Sequence, residues 1–475
     1  MIFDSYEFAL FFIIVYGVYL CLRQNGQNWF LLAASYFFYG FWSWKFLGLL
    51  IATQVIDFHI GKALERLKDP ARRKRLMTLS VLTNLGTLGF FKYFNFFTEN
   101  LEHTLRFFNL PVSEVTLNIV LPVGISFYTI QELNYVYDIY KGRTRAVNSF
   151  RDFSLFVSFF PQLMAGPIER AQRLMPQIQN ARAITWEGIS KGGWLIAWGL
   201  FKKMFVADRL ALLTDTIFTD PAGASGPMVA LGAATFMLQI YADFSGYSDM
   251  AAGMGRLMGF KLVYNFNLPF ASLTPSDFWR RWHISLTECL RDNIYIPMGG
   301  NRKGFSRELL AIMATMTLGG LWHGAQWNFI FWGVYCGILL VAERILRKTY
   351  LGARLFEVDE QSNVVRRFVH IVIMFALTCW GGILFRAGSL RNALEMMGNI
   401  FNDWHMVWTM TPQAKELAIC LSLFAVYQFC HYATKDRFFV FRLPVPVRAA
   451  FYIAIYLHLT MGAPYDARPF VYFQF

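Results

Sequence analysis

Apolar runs separated by short polar loops occupy almost the whole chain. Phe8–Leu22, Trp29–Trp42 and Phe46–Ile60 lead into Lys62–Arg75, where seven Lys or Arg stand against Glu65 and Asp69. Leu79–Phe97 and Leu117–Tyr137 follow, on either side of the loop Thr98–Glu114, which holds more acid than base. Pro122 and Gly124 predict a kink in the second of them. Phe153–Ala165 is too short to span a bilayer and runs into Gly166–Pro167, which fits a re-entrant or interfacial segment. Trp194–Leu213, broken by Lys202–Lys203 and Asp208–Arg209, reads as partly interfacial. Met228–Asp243 is apolar and is expected to end in the polar stretch Tyr241–Asp249, and Gly255–Lys303 does not read as spanning. Val369–Leu384, Leu417–Tyr432 and Ala449–Met461 complete the series.

The longest run is Leu309–Ala342, 34 residues without Asp, Glu, Lys or Arg, bracketed by Arg307–Glu308 and Glu343–Arg344. A crossing takes roughly 20 apolar residues at about 1.5 Å each. The run is too long for one straight crossing and short for two. Gly319, Gly320 and Gly324 are natural break points, so two helices or one broken helix are expected, with His323 at or beside the break. An ionisable group in such a run is a functional-site candidate. The alternative is a buried imidazole that bonds a carbonyl and joins two helices.

Composition agrees with a polytopic membrane protein. Of 475 residues, 56% are hydrophobic, 18% aromatic and only 16% charged, against about 25% charged in soluble domains. Mean hydropathy is +0.36. The net charge of +13 falls in short loops beside apolar runs, the positive-inside pattern, so it argues for membrane topology and against nucleic acid. With Lys62–Arg75, Lys141–Arg145, Glu343–Lys348 and the Lys435, Arg437, Arg442 group placed in the cytoplasm, both termini lie outside, with about 10–12 crossings and re-entrant pieces. This predicts an all-α fold in one membrane domain, 1–475, with a motif core at 117–345 and C-terminal helices and an outward tail at 366–475. Membrane lipids are its first partners. The six scattered cysteines show no C-x-x-C spacing and read as core hydrophobes, not metal ligands. The acidic Met1–Glu7 lacks a signal-peptide n-region, so the first helix is expected to be retained.

Pro275–Leu290 reads as one amphipathic helix capped by Ser276, with an apolar stripe at Phe278, Trp282, Leu286 and Leu290 and with His283 beside it. Two readings stand: a lipid-surface anchor, or a phosphate-binding lip in which Arg280, Arg281, Arg291 and Arg302 meet an anionic cofactor beside Gly299–Gly300. Asp243 and Asp249 flank a Ser-Gly-Tyr-Ser stretch. They suit a cation site or, more plainly, a helix-end network with a basic partner. His59, His370, His405, His431 and His458 read as interfacial or packing residues.

Four ordered segments carry a resemblance: Pro161–Arg170 with its Ala-Gly-Pro, Tyr241–Ala251, Asp277–Leu286 running on to Leu290–Arg302, and Leu318-Gly-Gly-Leu-Trp-His-Gly-Ala325. Together they resemble the membrane-bound O-acyltransferase (MBOAT) family. Within it they are similar to the bacterial branch that serves polysaccharide O-acetylation and teichoic acid D-alanylation. The resemblance implies a ring of about 10–12 tilted helices around a central tunnel. It puts the family's catalytic His on His323 and its second, supporting His on His283. It implies transfer of acetyl from a cytoplasmic thioester, acetyl-CoA, with no permanently bound cofactor, to an exported polysaccharide such as alginate, cellulose or peptidoglycan. A periplasmic SGNH-type acetyltransferase is the expected partner, in the bacterial inner membrane. Tyr472 in the Phe-Val-Tyr-Phe-Gln-Phe ending is a candidate acyl relay or partner-docking residue; otherwise the aromatic tail wedges into the outer interface. D-alanyl transfer from a carrier protein, a transporter with His323 on a proton path, and a non-catalytic scaffold for polysaccharide secretion remain as alternatives.

Overall fold

The structure is a computed structural model. It describes residues 1–110, 116–359, 361–404, 412–461, 468, 470 and 471. The described residues form helices and loops, with no strand among them. They pack as two compact units: Met1–Gly193 with Ala251–Val263, and Trp194–Met250 with Tyr264–Phe475.

The first unit holds α1 (Tyr6–Cys21), α2 (Gln24–Trp42), α3 (Trp44–Arg66), α4 (Pro70–Leu88), α5 (Phe94–Phe107), α6 (Ile125–Tyr140), α7 (Phe150–Ser158), α8 (Phe160–Leu163) and α9 (Ala171–Gln179). Aromatic packing joins α1, α2 and α8: the Phe8, Phe11 and Phe38 rings lie 5.4–6.4 Å from Phe160. Several buried polar groups here are matched. Asp57 accepts from Ser80 Oγ and Asn84 Nδ2, both at 2.6 Å. Arg182 reaches Tyr19, Gln27 and Asn28. The basic stretch Lys62–Arg75 falls at the α3–α4 turn, where Asp69 caps α4.

Two expectations are corrected in this unit. The predicted outer loop is helical through Phe107, the end of α5. Pro122 and Gly124 do not kink a crossing but precede it. Gly124 (φ 76°) caps α6, and a Cβ there would lie 2.7 Å from the Leu163 carbonyl, so the close approach of α8 starts the helix at Ile125. Phe153–Ala165 is two short buried helices, α7 and α8, in keeping with a segment too short to cross.

The second unit begins within α10 (Trp186–Leu200). A π-helical turn, Phe201–Ala207, continues it into α11 (Asp208–Thr219). Then come α12 (Gly226–Leu257), α13 (Pro275–Arg281), α14 (Ile284–Leu290), α15 (Phe305–His323), α16 (Trp327–Leu346), α17 (Tyr350–Phe356), α18 (Val364–Arg386), α19 (Leu390–Asn402), α20 (Pro412–Thr434) and α21 (Val445–Met461). Among the described residues, α3, α12, α16 and α18 are long and apolar enough to cross a membrane.

The charges that interrupt Trp194–Leu213 do not lift it to an interface. Lys202, Lys203 and Asp208 are buried and paired: Lys202 with Asp249 at 2.8 Å, Lys203 with Asp208 at 2.8 Å and with Asp243 at 3.1 Å. The wide π turn is what lets two successive lysines both reach α12. The same pairs overturn the expected end of α12. Asp243 and Asp249 lie mid-helix, because cations from other elements neutralise them and no helix terminus is needed. The predicted basic partner is there; the predicted helix end is not.

Candidate active site

The uncharged run folds as an antiparallel hairpin of α15 and α16. Gly320 and Gly333 face each other so closely that a Cβ on Gly320 would strike the Phe329 carbonyl and one on Gly333 the Met316 carbonyl. Further down, Gly337 meets Met313, and at the base Arg344 pairs with Glu308 at 3.4 Å. Of the three predicted break glycines only Gly324 ends a helix, in extended backbone (φ −163°, ψ 152°). Gly319 and Gly320 stay helical, and Gly320 serves close helix packing. The centre of the run in sequence is therefore its tip in space. His323 is the last residue of α15, 19 residues or about 28 Å from the hairpin base at helical rise.

Three rings frame the His323 imidazole nearly edge-on: Trp322 at 5.0 Å, Trp332 of α16 at 5.1 Å and Phe385 of α18 at 5.3 Å. The residue is buried but not sealed. It lines a cavity walled by α12, α13, α16 and α18, with about 620 Å³ of empty space counted out through its open mouth. On α18 the lining runs from Met374 to Phe385, about 16 Å along the axis. Tyr335, Cys336 and Thr378 are the polar groups set among an otherwise aromatic and aliphatic wall. The space is a mostly apolar channel with an imidazole at one end.

Pro275–Leu290 is not one helix on a lipid surface. It is α13 and α14, capped by Thr274, whose hydroxyl accepts from Asp277 N, rather than by Ser276. Phe278, Trp279 and Trp282 face the channel. His283 makes the break, in the left-handed region at φ 42°. Asn265 holds it there. Its carbonyl accepts from Ile284 N at 2.9 Å, and its side-chain oxygen accepts from Ser285 Oγ at 2.6 Å. Such a backbone conformation costs about 1–3 kcal/mol and persists where its surroundings enforce it.

His283 is buried between Phe244 (4.6 Å) and Trp322 (6.0 Å), the ring next to His323. It does not line the channel. Burial pulls its imidazole down to about 3, so it is neutral at physiological pH. The unfolded chain takes up this proton near pH 6.5 and the folded one does not until about 3, so stability is lost as pH falls below 6.5. The melting temperature is expected to decline between pH 6.5 and 5, and less steeply in His283→Leu; parallel wild-type and variant profiles would contradict this.

The four arginines of the predicted lip stay outside. Arg280 and Arg302 are exposed, Arg281 pairs with Asp277 at 3.0 Å, and Arg291 with Asp292 at 2.8 Å. None lines the channel. Tyr472 and His405 lie outside the described residues. Phe470, read as part of an interfacial wedge, is core: it packs on Phe244 (5.6 Å) and Tyr247 (5.2 Å). Val471 N donates to Asp243 at 2.7 Å, and Lys203 donates to the Arg468 carbonyl at 2.9 Å. His370 meets the Leu273 carbonyl, a packing role. Sequence reasoning missed Trp332 and Phe385, which carry no signal beyond aromatic character in apolar runs. No group of three His, Cys, Asp or Glu among the described residues suits a metal.

Comparison with known proteins identifies the family. A profile of the MBOAT, membrane-bound O-acyltransferase family matches residues 141–384, which include His283, the hairpin and most of the channel wall. The chain is 38% identical over 442 residues to a probable alginate O-acetylase AlgI of Azotobacter vinelandii, covering 92% of this chain and 85% of that one. It is 35% identical over 398 residues to a peptidoglycan O-acetyltransferase of Helicobacter pylori (77% and 72% covered). It is 26% identical over 285 residues to a teichoic acid D-alanyltransferase of Bacillus subtilis (56% and 69% covered). The protein is an all-helical, multi-pass membrane enzyme, and it belongs to the membrane-bound O-acyltransferase family.

Proposed function

We propose that this protein transfers acetyl groups from acetyl-CoA in the cytoplasm toward an exported polysaccharide. The observation that carries this is the imidazole of His323 at the end of a mostly apolar channel about 16 Å long. A thin thioester arm fits such a space and a polymer does not. The acceptor hydroxyl then arrives at the hairpin tip. His323 takes its proton as the oxygen attacks the thioester carbonyl, and the thiol departs with a proton returned by the imidazole. An imidazole suits this because its reference pKa is near neutrality.

Acetyl is favoured over D-alanyl on two grounds. The relatives that match most of the chain are O-acetyl transfer proteins. An alanyl group would also carry an ammonium along an aromatic and aliphatic wall, where an unpaired charge is costly. The basic loops support a topology with the base of the hairpin in the cytoplasm and both termini in the periplasm of a bacterial inner membrane. A periplasmic SGNH-type acetyltransferase would complete delivery to the polymer. The test is CoA release from acetyl-CoA by the purified protein with a saccharide or partner acceptor. Turnover only with a D-alanyl carrier protein would transfer the reading to teichoic acid.

Tyr472 belongs to the same proposal. Val471, its neighbour, is anchored to Asp243, and Phe470 lies against Phe244, whose ring touches His283. These contacts of the two preceding residues are what support a role for the tail beside His283. Removing 468–475 would strip core contacts as well, so Tyr472→Phe is the cleaner variant. Loss of acetylated product with normal expression supports a relay or docking role; unchanged product dismisses it.

A further inference from the structure

A second cavity in the same unit is polar where the channel is apolar. It lies between α10, α12 and the C-terminal end of α20, with about 310 Å³ of empty space counted out through its open mouth. Two cations and one carboxylate line it. Asp249 divides its oxygens between Lys202 (2.8 Å) and Arg437 (3.1 Å). Lys202 also meets Ser245 Oγ at 2.8 Å, and Arg437 stacks on the Tyr264 ring at 3.9 Å. Gln428, which donates to the Tyr241 hydroxyl at 2.8 Å, and His431 complete the polar lining.

The local backbone is shaped to make this. Lys435 takes the left-handed conformation (φ 54°) that ends α20. The returning loop throws Arg437 back over the helix end, where its main-chain oxygen accepts from the Tyr427 hydroxyl at 2.7 Å. The π turn aims Lys202 at the same carboxylate from the other side. Lys202 is 3% exposed. The enclosed charges sum to one net positive, and an uncompensated charge in such a place is costly. Serine, glutamine, tyrosine and imidazole groups stand around it as further hydrogen-bond donors. An anion with several acceptor oxygens would restore neutrality and use them.

Position narrows the anion. Lys435, Arg437, Arg442 and Arg448 follow α20, which puts the mouth on the cytoplasmic side. The wall shared with the channel is one ring thick: Tyr241 and Phe266 line the pocket, and Trp282, 6.3 and 5.1 Å from them, lines the channel. We infer that this pocket binds a phosphate group on the cytoplasmic side, beside the entry of the acyl arm. The phosphate comes from one of two sources, the phosphopantetheine arm of the donor or an anionic lipid headgroup. The first source rests on the acyl-CoA reading above; the second does not.

The test uses the full chain in phosphatidylcholine nanodiscs, with 4′-phosphopantetheine and pantetheine as probes that differ by one phosphate. Gln428→Glu places a carboxylate where the anion sits and leaves the Lys202–Asp249–Arg437 group whole; His431→Glu does so from a second position. For a donor phosphate, phosphopantetheine binds the wild type at least tenfold tighter than pantetheine, and both variants erase that preference while still binding pantetheine. For a lipid phosphate the two probes bind alike, and nanodiscs doped with phosphatidic acid raise the melting temperature of the wild type but of neither variant. The inference is overturned if the wild type prefers neither phosphate source, or if both variants keep the preference. Tight phosphopantetheine binding by a protein that never releases CoA from acetyl-CoA would refute the acetyl-transfer reading and leave the pocket standing.

Discussion

His323→Ala should abolish acyl transfer while the protein still inserts and folds. General-base help typically contributes about 10²–10⁴-fold, and among the described residues no other imidazole lines the channel. His283 cannot substitute, since it is packed between Phe244 and Trp322 rather than facing the reacting groups. The loss should appear in kcat more than in KM, because the channel wall that holds the acyl arm is untouched. The measurement is CoA release and acetylated product from purified wild type and variant, with size-exclusion profiles to certify folding. Wild-type turnover from the alanine variant would end the general-base assignment. The three rings around His323 make contacts that a smaller side chain loses, so His323→Gln, closer in volume, is the control for packing.

Lys203→Met should destabilise the protein by about 3–5 kcal/mol, the usual cost of stranding one partner of a buried ion pair. Lys203 is 5% exposed and holds two carboxylates at once, Asp208 and Asp243. It also holds the Arg468 carbonyl, so the tail would be loosened too. Melting of detergent-solubilised protein reads the effect. The triple variant Lys203→Met, Asp208→Asn, Asp243→Asn should recover much of the loss, since no unpaired charge is left behind. If the triple variant is no more stable than the single one, the cost lies in shape rather than charge.

The hairpin and its histidine were legible because a membrane forbids charge over a long interval and announces each end with ions. Arg307–Glu308 and Glu343–Arg344 mark the base without ambiguity, and Gly324 marks the tip. The apolar helices were found for the same reason, while their ends were not, and α9, α17 and α19, which lie outside the apolar runs, were missed. The predicted stop at Asp243 failed because a carboxylate looks like a terminus until its cation is known, and Lys203 lies on another element well before it in the chain. The single helix through Pro275–Leu290 failed because its stripe is regular, and the break at His283 is imposed by Asn265 from the preceding loop. The arginines read as a lip do not line the channel: α13 turns Phe278 and Trp279 toward it, and Arg291 and Arg302 lie beyond α14. Each miss concerns a partner distant in sequence; each success rests on a pattern carried by neighbours.

The Gly320–Gly333 approach has one more consequence. Two backbones in contact at that point cannot slide in small steps; a shift must move a whole helical turn, about 5.4 Å. Bilayers differ in thickness, and helices usually answer by tilting or adjusting their depth. In this hairpin such adjustment can move the pair only as a rigid body. The gap between the imidazole and the wall opposite is then set by the protein alone, and the reaction geometry should not drift when the cell changes its lipids.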